Sequence, residues 1–157
     1  MKILVCTDGS EHSKKALDKA LLIAEGCIVE ELAVLHVYER KPEFNYAPHY
    51  EIGPITRDDV TYEDVEKFKH IIEQFEAEKQ KILDEAAKVF EAENFKVRKI
   101  LSEGHPSETI LNVAQKEGFD MIVLGSRGLG GLRKAFLGSV SNAVIQEAKD
   151  CIVSVVK

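Results

Sequence analysis

The sequence predicts an α/β fold, an open five-stranded parallel sheet with helices on both faces. Short, nearly unbroken apolar runs alternate with longer amphipathic segments in the order βαβαβαβαβ. Strands apolar on both faces belong to parallel sheets whose crossover helices cover both sides. The length of 157 residues suits one domain with a substantial core and is too short for two ordinary ones.

Each element has a local cause. Residues 2–7, KILVCT, form an apolar run closed by Asp-Gly-Ser, which reads as a buried strand ending in a turn. Residues 11–25 place Ala16, Leu17, Ala20, Leu21 and Ala24 on one helical face, and Gly26 is suited to the helix end. Residues 28–38, with VEELAVLHVY as their body, read as a second strand. Residues 39–60 carry Pro42, Pro48 and Pro54 with Phe44, Tyr46 and Tyr50 between them. So long a connection is either a functional lid or interaction segment, or a passive surface crossing, and both stay open.

Residues 61–94 follow as a long helix with Val65, Phe68, Ile72, Phe75, Ile82, Ala86 and Val89 largely at three- and four-residue spacing. That stripe is expected to cover the sheet, leaving an acidic face outside. KVRKILSEG is a third strand, residues 106–118 a helix begun by proline, and DMIVLG a fourth strand of buried type. Residues 138–148 read as a last helix, and Cys151 to Val156 as the final strand. KILVCTDGS and DMIVLGSRG share a strand-then-polar-turn pattern.

The 21 basic and 27 acidic residues give a net charge of −6. Neutralising nucleic-acid phosphates needs a cationic face, so nucleic acid is not an expected partner. The three cysteines are an odd number without a close pair, and Cys6 and Cys151 sit in apolar strand-like runs, as free thiols do. The apolar run before Asp8 is too short for a secretory core or a membrane span. The expected place is the cytoplasm, with no membrane partner.

Residues 125–141, GSRGLGGLRKAFLGSVS, are too polar for core and too patterned for a linker. They follow the fourth strand, and in open parallel sheets ligands sit beyond the carboxyl ends of strands. Glycines there permit close backbone approach and positive φ, while amides and hydroxyls of Gly138-Ser139-Val140-Ser141 can face an anion at the start of a helix. The stretch lacks the G-x-x-x-x-G-K-[ST] spacing, and Arg133 stands where a G-x-G-x-x-G motif beginning at Gly128 would need glycine. Its actual spacing is G-x2-G-x9-G-[ST], on Gly125, Gly128, Gly138 and Ser139.

With that spacing the chain resembles the universal stress protein family in its ATP-binding branch. The resemblance extends over the LVCTDGSEHS opening, the LHV of the second strand, the EGHPSETI turn and the C-terminal CIVSVVK. It implies ATP as ligand, with Gly125, Gly128, Gly138, Ser139, Val140 and Ser141 at the phosphates and ribose. It likewise implies Asp8 near the ribose and metal-phosphate region, and the Val37 backbone at the adenine edge. Cys6 stands where many members have proline. In the expected Rossmann-like strand order 3-2-1-4-5 the ends of strands one, two and four converge on one crevice. Asp8 has a competing reading as a helix cap, as does Ser10. Arg127, Arg133 and Lys134 read as solvated loop cations rather than core ligands.

Asp8, Ser10 and His12 crowd one turn too tightly for a nucleophile-base-orienter triad. His36, His49, His70 and His105 lack zinc-site spacing, whereas Mg or Mn held through ATP phosphates fits. Three functions follow: an ATP-binding regulatory or stress-response module, a slow ATPase or adenylyl-transferring enzyme, or a dimeric module without nucleotide. The apolar last strand, at a sheet edge without proline or internal charge, predicts a homodimer paired through Cys151 to Val156, which the resemblance also implies.

Overall fold

A computed structural model of the chain describes residues 1–39, 62–128 and 137–157. The elements are β1 (Lys2–Cys6), α1 (Glu11–Glu25), β2 (Glu31–Tyr38), α2 (Tyr62–Glu91), β3 (Val97–Glu103), α3 (Pro106–Glu117), β4 (Met121–Gly125), α4 (Ser139–Glu147) and β5 (Ile152–Val156). All four pairings are parallel, and the strand order is β3-β2-β1-β4-β5. The expected fold and order therefore hold.

Period-two alternation divides the core into two layers. Ile3 and Val5 of β1, Leu32 and Val34 of β2, and Met121 and Val123 of β4 face α1 and α2. Leu4 and Cys6, Ala33 and Leu35, and Ile122 and Leu124 face α3 and α4. In α1 the small residues Ala16, Ala20 and Ala24 are buried with Leu17, which lets this helix approach the sheet closely. Its N-cap is Ser10, whose Oγ accepts from the Ser13 amide at 3.2 Å; the cap is thus Ser10 and not Asp8.

Two expectations needed adjustment. The second strand begins at Glu31 rather than at residue 28, because Ile28 is 92% exposed and joins no ladder. Among the described side chains of α2 the buried residues are Leu83, Ala86, Ala87 and Phe90, while Ile82 and Val89 lie half-buried on the flank. The apolar stripe is broad: Ala86 is buried as the spacing expects, while Leu83 and Phe90, one position on from Ile82 and Val89, take the centre of the contact. Val65, Phe68 and Ile72 fall outside the described side chains, as do the prolines and aromatics of residues 40–61.

Gly125 shows how closely α1 and β4 pack. A Cβ there would lie 2.7 Å from the His12 carbonyl carbon, 2.8 Å from its oxygen and 2.8 Å from the Ser13 nitrogen. These are backbone atoms of the first turn of α1, so no rotamer change relieves the overlap. Gly125→Ala is expected to destabilise the fold by about 1–3 kcal/mol, the usual cost of overpacking. Urea unfolding at equilibrium measures it, and an unchanged midpoint would show that α1 yields freely.

Candidate functional site

The strand order reverses between β1 and β4, and an open cleft of about 700 Å³ lies at their carboxyl ends. Asp8, Val37, Gly125, Gly128, Gly138, Ser139, Val140 and Ser141 all line it. Residues from three separated parts of the chain are thus brought to one place. One wall is apolar, built from Cys6, Leu35, Val37, Pro106, Ile110 and Leu124; the other carries Thr7, Asp8, Ser13, Arg127 and the start of α4.

The polar wall begins where β1 stops. The Thr7 amide donates to the Leu35 carbonyl at 2.9 Å, and the chain then turns. Asp8 Oδ1 accepts from the Ser10 amide at 3.0 Å, Thr7 Oγ1 accepts from the Gly9 amide at 3.2 Å, and Gly9 has φ +79°. That φ belongs to the region glycine favours, so the sequence Asp-Gly-Ser makes the turn. The other carboxylate oxygen of Asp8 lies 2.5 Å from where a Cβ on Gly128 would stand. In this arrangement the Asp8 carboxylate occupies the space beside Gly128.

The loop after β4 is pinned on three sides. The Ser126 amide donates to the Val156 carbonyl at 2.6 Å, and its carbonyl accepts from the Gly138 amide at 2.8 Å. The Ser10 hydroxyl lies 3.4 Å from the Arg127 carbonyl, bringing the α1 cap to the same loop. Gly125, Gly128 and Gly138 serve close approach, not left-handed backbone: none has a φ in the positive region, and Gly138 has φ −65°. The positive φ expected of these glycines is therefore corrected. Gly130, Gly131, Arg133 and Lys134 lie outside the described residues.

Gly138 supplies no side chain to cap α4. The amides of Ser139, Val140 and Ser141 open the helix, where no intrahelical partner exists, at the rim of the cleft. Of the two serine hydroxyls, that of Ser141 is turned inward, 3.0 Å from both the Ser126 and the Gly138 carbonyls, and the residue is 2% exposed. In this structure its hydroxyl braces the loop, while the residue still lines the cleft. Ser139 remains the hydroxyl available at the helix start.

On the apolar wall β2 outlasts β1. Leu35 turns its peptide groups towards β1 and Tyr38 turns its carbonyl towards β3, where it accepts from the Gly104 amide at 3.0 Å. By alternation the Val37 N–H and C=O face the space β1 has left. Among the described residues they close no ladder bond there. Cys6 lies on the same wall, its thiol pushed up to about 12 by burial and therefore neutral. Pro106 and Ile110, at the start of α3, complete the wall, and sequence reading did not select them. Their signal was the proline opening a helix at a strand's carboxyl end. Thr7, beside Asp8, was missed for want of any spacing rule.

His36 lies beneath this arrangement, 5% exposed, with Nδ1 2.8 Å from the Thr7 carbonyl. Burial lowers its pKa from the ordinary 6.5, and Lys79 adds to this, while the Thr7 bond and Asp8 act in the opposite sense. The unfolded chain takes up this proton as pH falls through 6.5 and the folded chain only at lower pH. The His36 contribution is therefore fully present above that value and is lost as pH falls towards the lowered one. Between about pH 7.5 and about pH 5.5 the urea midpoint should fall more in the parent than in His36→Leu. Equal slopes would show that His36 titrates normally.

The family model of the universal stress proteins, described as Universal stress protein family, matches residues 1–157. Universal stress protein YxiE of Bacillus subtilis is 33% identical over 156 residues, covering 99% of this chain and 98% of its own. The solved structure of MJ0577, a universal stress protein of Methanocaldococcus jannaschii, has a TM-score of 0.67 at 30% identity, covering 99% of this chain and 94% of that one. A universal stress protein solved in complex with cAMP has the same fold, with a TM-score of 0.67 at 22% identity over 99% of this chain and 95% of its own. From its first residue to its last, this chain belongs to the universal stress protein family.

Proposed function

We propose that the cleft binds an adenine nucleotide, ATP with Mg or Mn held through its phosphates, and that the chain is a cytoplasmic single-domain regulatory or stress-response module read out through nucleotide occupancy. The observation that carries this reading is the convergence of G-x2-G-x9-G-[ST], Asp8 and Val37 on one cleft at the topological switch point. The open amides of α4 and the Ser139 hydroxyl suit phosphate oxygens. The Val37 C=O and N–H match the N6 donor and N1 acceptor of adenine, whereas guanine presents the reverse pair. A family structure holding cAMP makes adenine nucleotides the first compounds to try.

Among the described residues the cleft is lined by no histidine or lysine; its carboxylates are Glu39 and Asp8, and Asp8 has one oxygen engaged by the Ser10 amide and the other beside Gly128. Binding is the first reading because the glycine spacing and the open α4 amides supply contacts to phosphates, while Asp8 and Glu39 are the carboxylates to replace if turnover is found. The alternative is a slow ATPase or adenylyl-transferring enzyme, and time-resolved ADP or AMP formation separates it from a binder. Mass spectrometry of nucleotide released from freshly purified, denatured protein tests whether ATP is held at all. A purely structural dimer would release none.

Gly128→Val is expected to abolish binding of Mg-ATP while leaving the fold intact, because its side chain would push the Asp8 carboxylate from its place and fill the phosphate side of the cleft. Ser139→Ala removes one charge-assisted donor, a loss of about 1.5–3 kcal/mol, or roughly ten- to a hundredfold in affinity. Calorimetric titration with Mg-ATP, with circular dichroism to confirm folding, measures both. Unchanged affinity in Gly128→Val would remove the site assignment.

The edge strand β5 supports the second half of the reading, a homodimer paired through Cys151 to Val156 with a regulatory protein partner downstream. β5 ends the strand order, carries no proline or charge, and leaves Ile152 57% exposed. Val153→Pro should yield monomer or aggregate by light scattering at micromolar concentration, since proline removes a ladder donor. A parent that runs as a monomer under the same conditions would count against the dimer.

A further inference from the structure

The β1–β2 ladder ends at the Cys6–Leu35 pair, while β2 runs on to Tyr38. The Thr7 amide donates to the Leu35 carbonyl at 2.9 Å, and in a parallel ladder the next bond would run from the Val37 amide to the Thr7 carbonyl. That carbonyl lies instead 2.8 Å from His36 Nδ1. A carbonyl only accepts, so Nδ1 carries the hydrogen and Nε2 is a bare lone pair. Nε2 is buried without a partner among the described residues. Burying an unsatisfied acceptor is costly, and an aliphatic side chain would avoid that cost. A residue that breaks a local rule in this way points to a role beyond packing.

We infer that His36 is a positioning and specificity-determining residue: by taking the Thr7 carbonyl it ends the ladder one rung early and keeps the Val37 backbone free to read a purine edge. His36 does not line the cleft and acts through Thr7, which does. The same bond holds the Thr7-Asp8 turn from the β2 side, so one imidazole sets both the base-reading backbone and the acidic turn opposite. The inference rests on the nucleotide reading above. It adds that base selectivity resides in the early end of the ladder.

Leucine and asparagine have the same branched shape and differ in whether they can donate to Thr7. In His36→Leu the vacated carbonyl is open to the Val37 amide, the ladder gains its missing rung, and the base loses its donor. Calorimetry with Mg-ATP and Mg-GTP should show the parent preferring ATP, His36→Leu losing about tenfold or more in ATP affinity with the ATP/GTP ratio narrowed, and His36→Asn staying within about threefold of the parent. Hydrogen exchange at the Val37 amide, read without nucleotide, should be fast in the parent and in His36→Asn and protected in His36→Leu. A loss of packing alone would lower the affinity for both nucleotides together and would not protect Val37. An unchanged ratio with unchanged Val37 exchange overturns the inference. If His36→Leu fails to fold, His36→Asn decides, since fast Val37 exchange supports the inference and protection in a folded variant overturns it. A parent that binds neither nucleotide defeats the functional reading, and Val37 exchange then decides the positioning role alone.

Discussion

The backbone of Ser126 holds the cleft together. Its amide reaches the Val156 carbonyl at 2.6 Å, and its carbonyl takes the Gly138 amide at 2.8 Å and lies 3.0 Å from the Ser141 hydroxyl. One residue, 3% exposed, thereby ties the end of β4 to the end of β5 and to the start of α4. Without those bonds a buried N–H and C=O would stand unpaired, each at a cost of about 1–3 kcal/mol. The start of α4 faces the cleft because Ser126 fixes where that helix begins. The arrangement also explains why Ser141 faces inward although it lies in the motif.

The second constraint is the unequal length of neighbouring strands. β1 stops at Cys6 while β2 continues to Tyr38 and stays paired with β3 up to Glu103. The central strand of the sheet is therefore short, and the gap above it is the cleft. Its polar wall combines the backbone and hydroxyl groups of Thr7, Ser13 and the start of α4 with the charged side chains of Asp8 and Arg127. At the opposite end of the sheet charge is plentiful: Lys2 pairs with Glu31 at 2.9 Å, Arg98 with Glu31 at 2.7 Å, and Arg98 also meets Glu117. Glu31 titrates below the usual carboxylate range because Lys2, then Arg98, stabilises its charged form. Ion pairs fasten the amino ends of the strands and leave the carboxyl ends to the site.

The architecture was legible because its causes are local and periodic. Apolar runs gave the strands and three- and four-residue spacing gave α1 to its observed bounds, Glu11–Glu25, since Ser10 caps one end and Gly26 follows the other. The broad stripe of α2 was harder: the sequence offers two adjacent apolar rows, and only packing against the sheet chooses Leu83 and Phe90 over Ile82 and Val89, while Ala86 of the expected row is kept. The cleft was legible where a motif spans it. Gly125 is a glycine for a reason no spacing states, since what excludes a side chain there is the backbone of α1. Thr7, Pro106 and Ile110 come from elements far apart in sequence, and nothing local marks them as neighbours of Gly138.

The division of labour among the glycines bears on how the motif should be understood. Gly125 admits α1 to β4, Gly128 admits the Asp8 carboxylate, and Gly138 has its Cβ position 3.3 Å from the Ser126 carbonyl. Each vacancy is filled by another part of the protein, and together these contacts draw α1, the Asp8 turn and α4 around one loop. The described glycines of G-x2-G-x9-G-[ST] thus serve close approach within the protein before any ligand is considered. Exposure of the α4 amides to the cleft follows from that folding. Asp8 and Ser126 are therefore as much a part of the cleft as the glycines whose Cβ positions they approach.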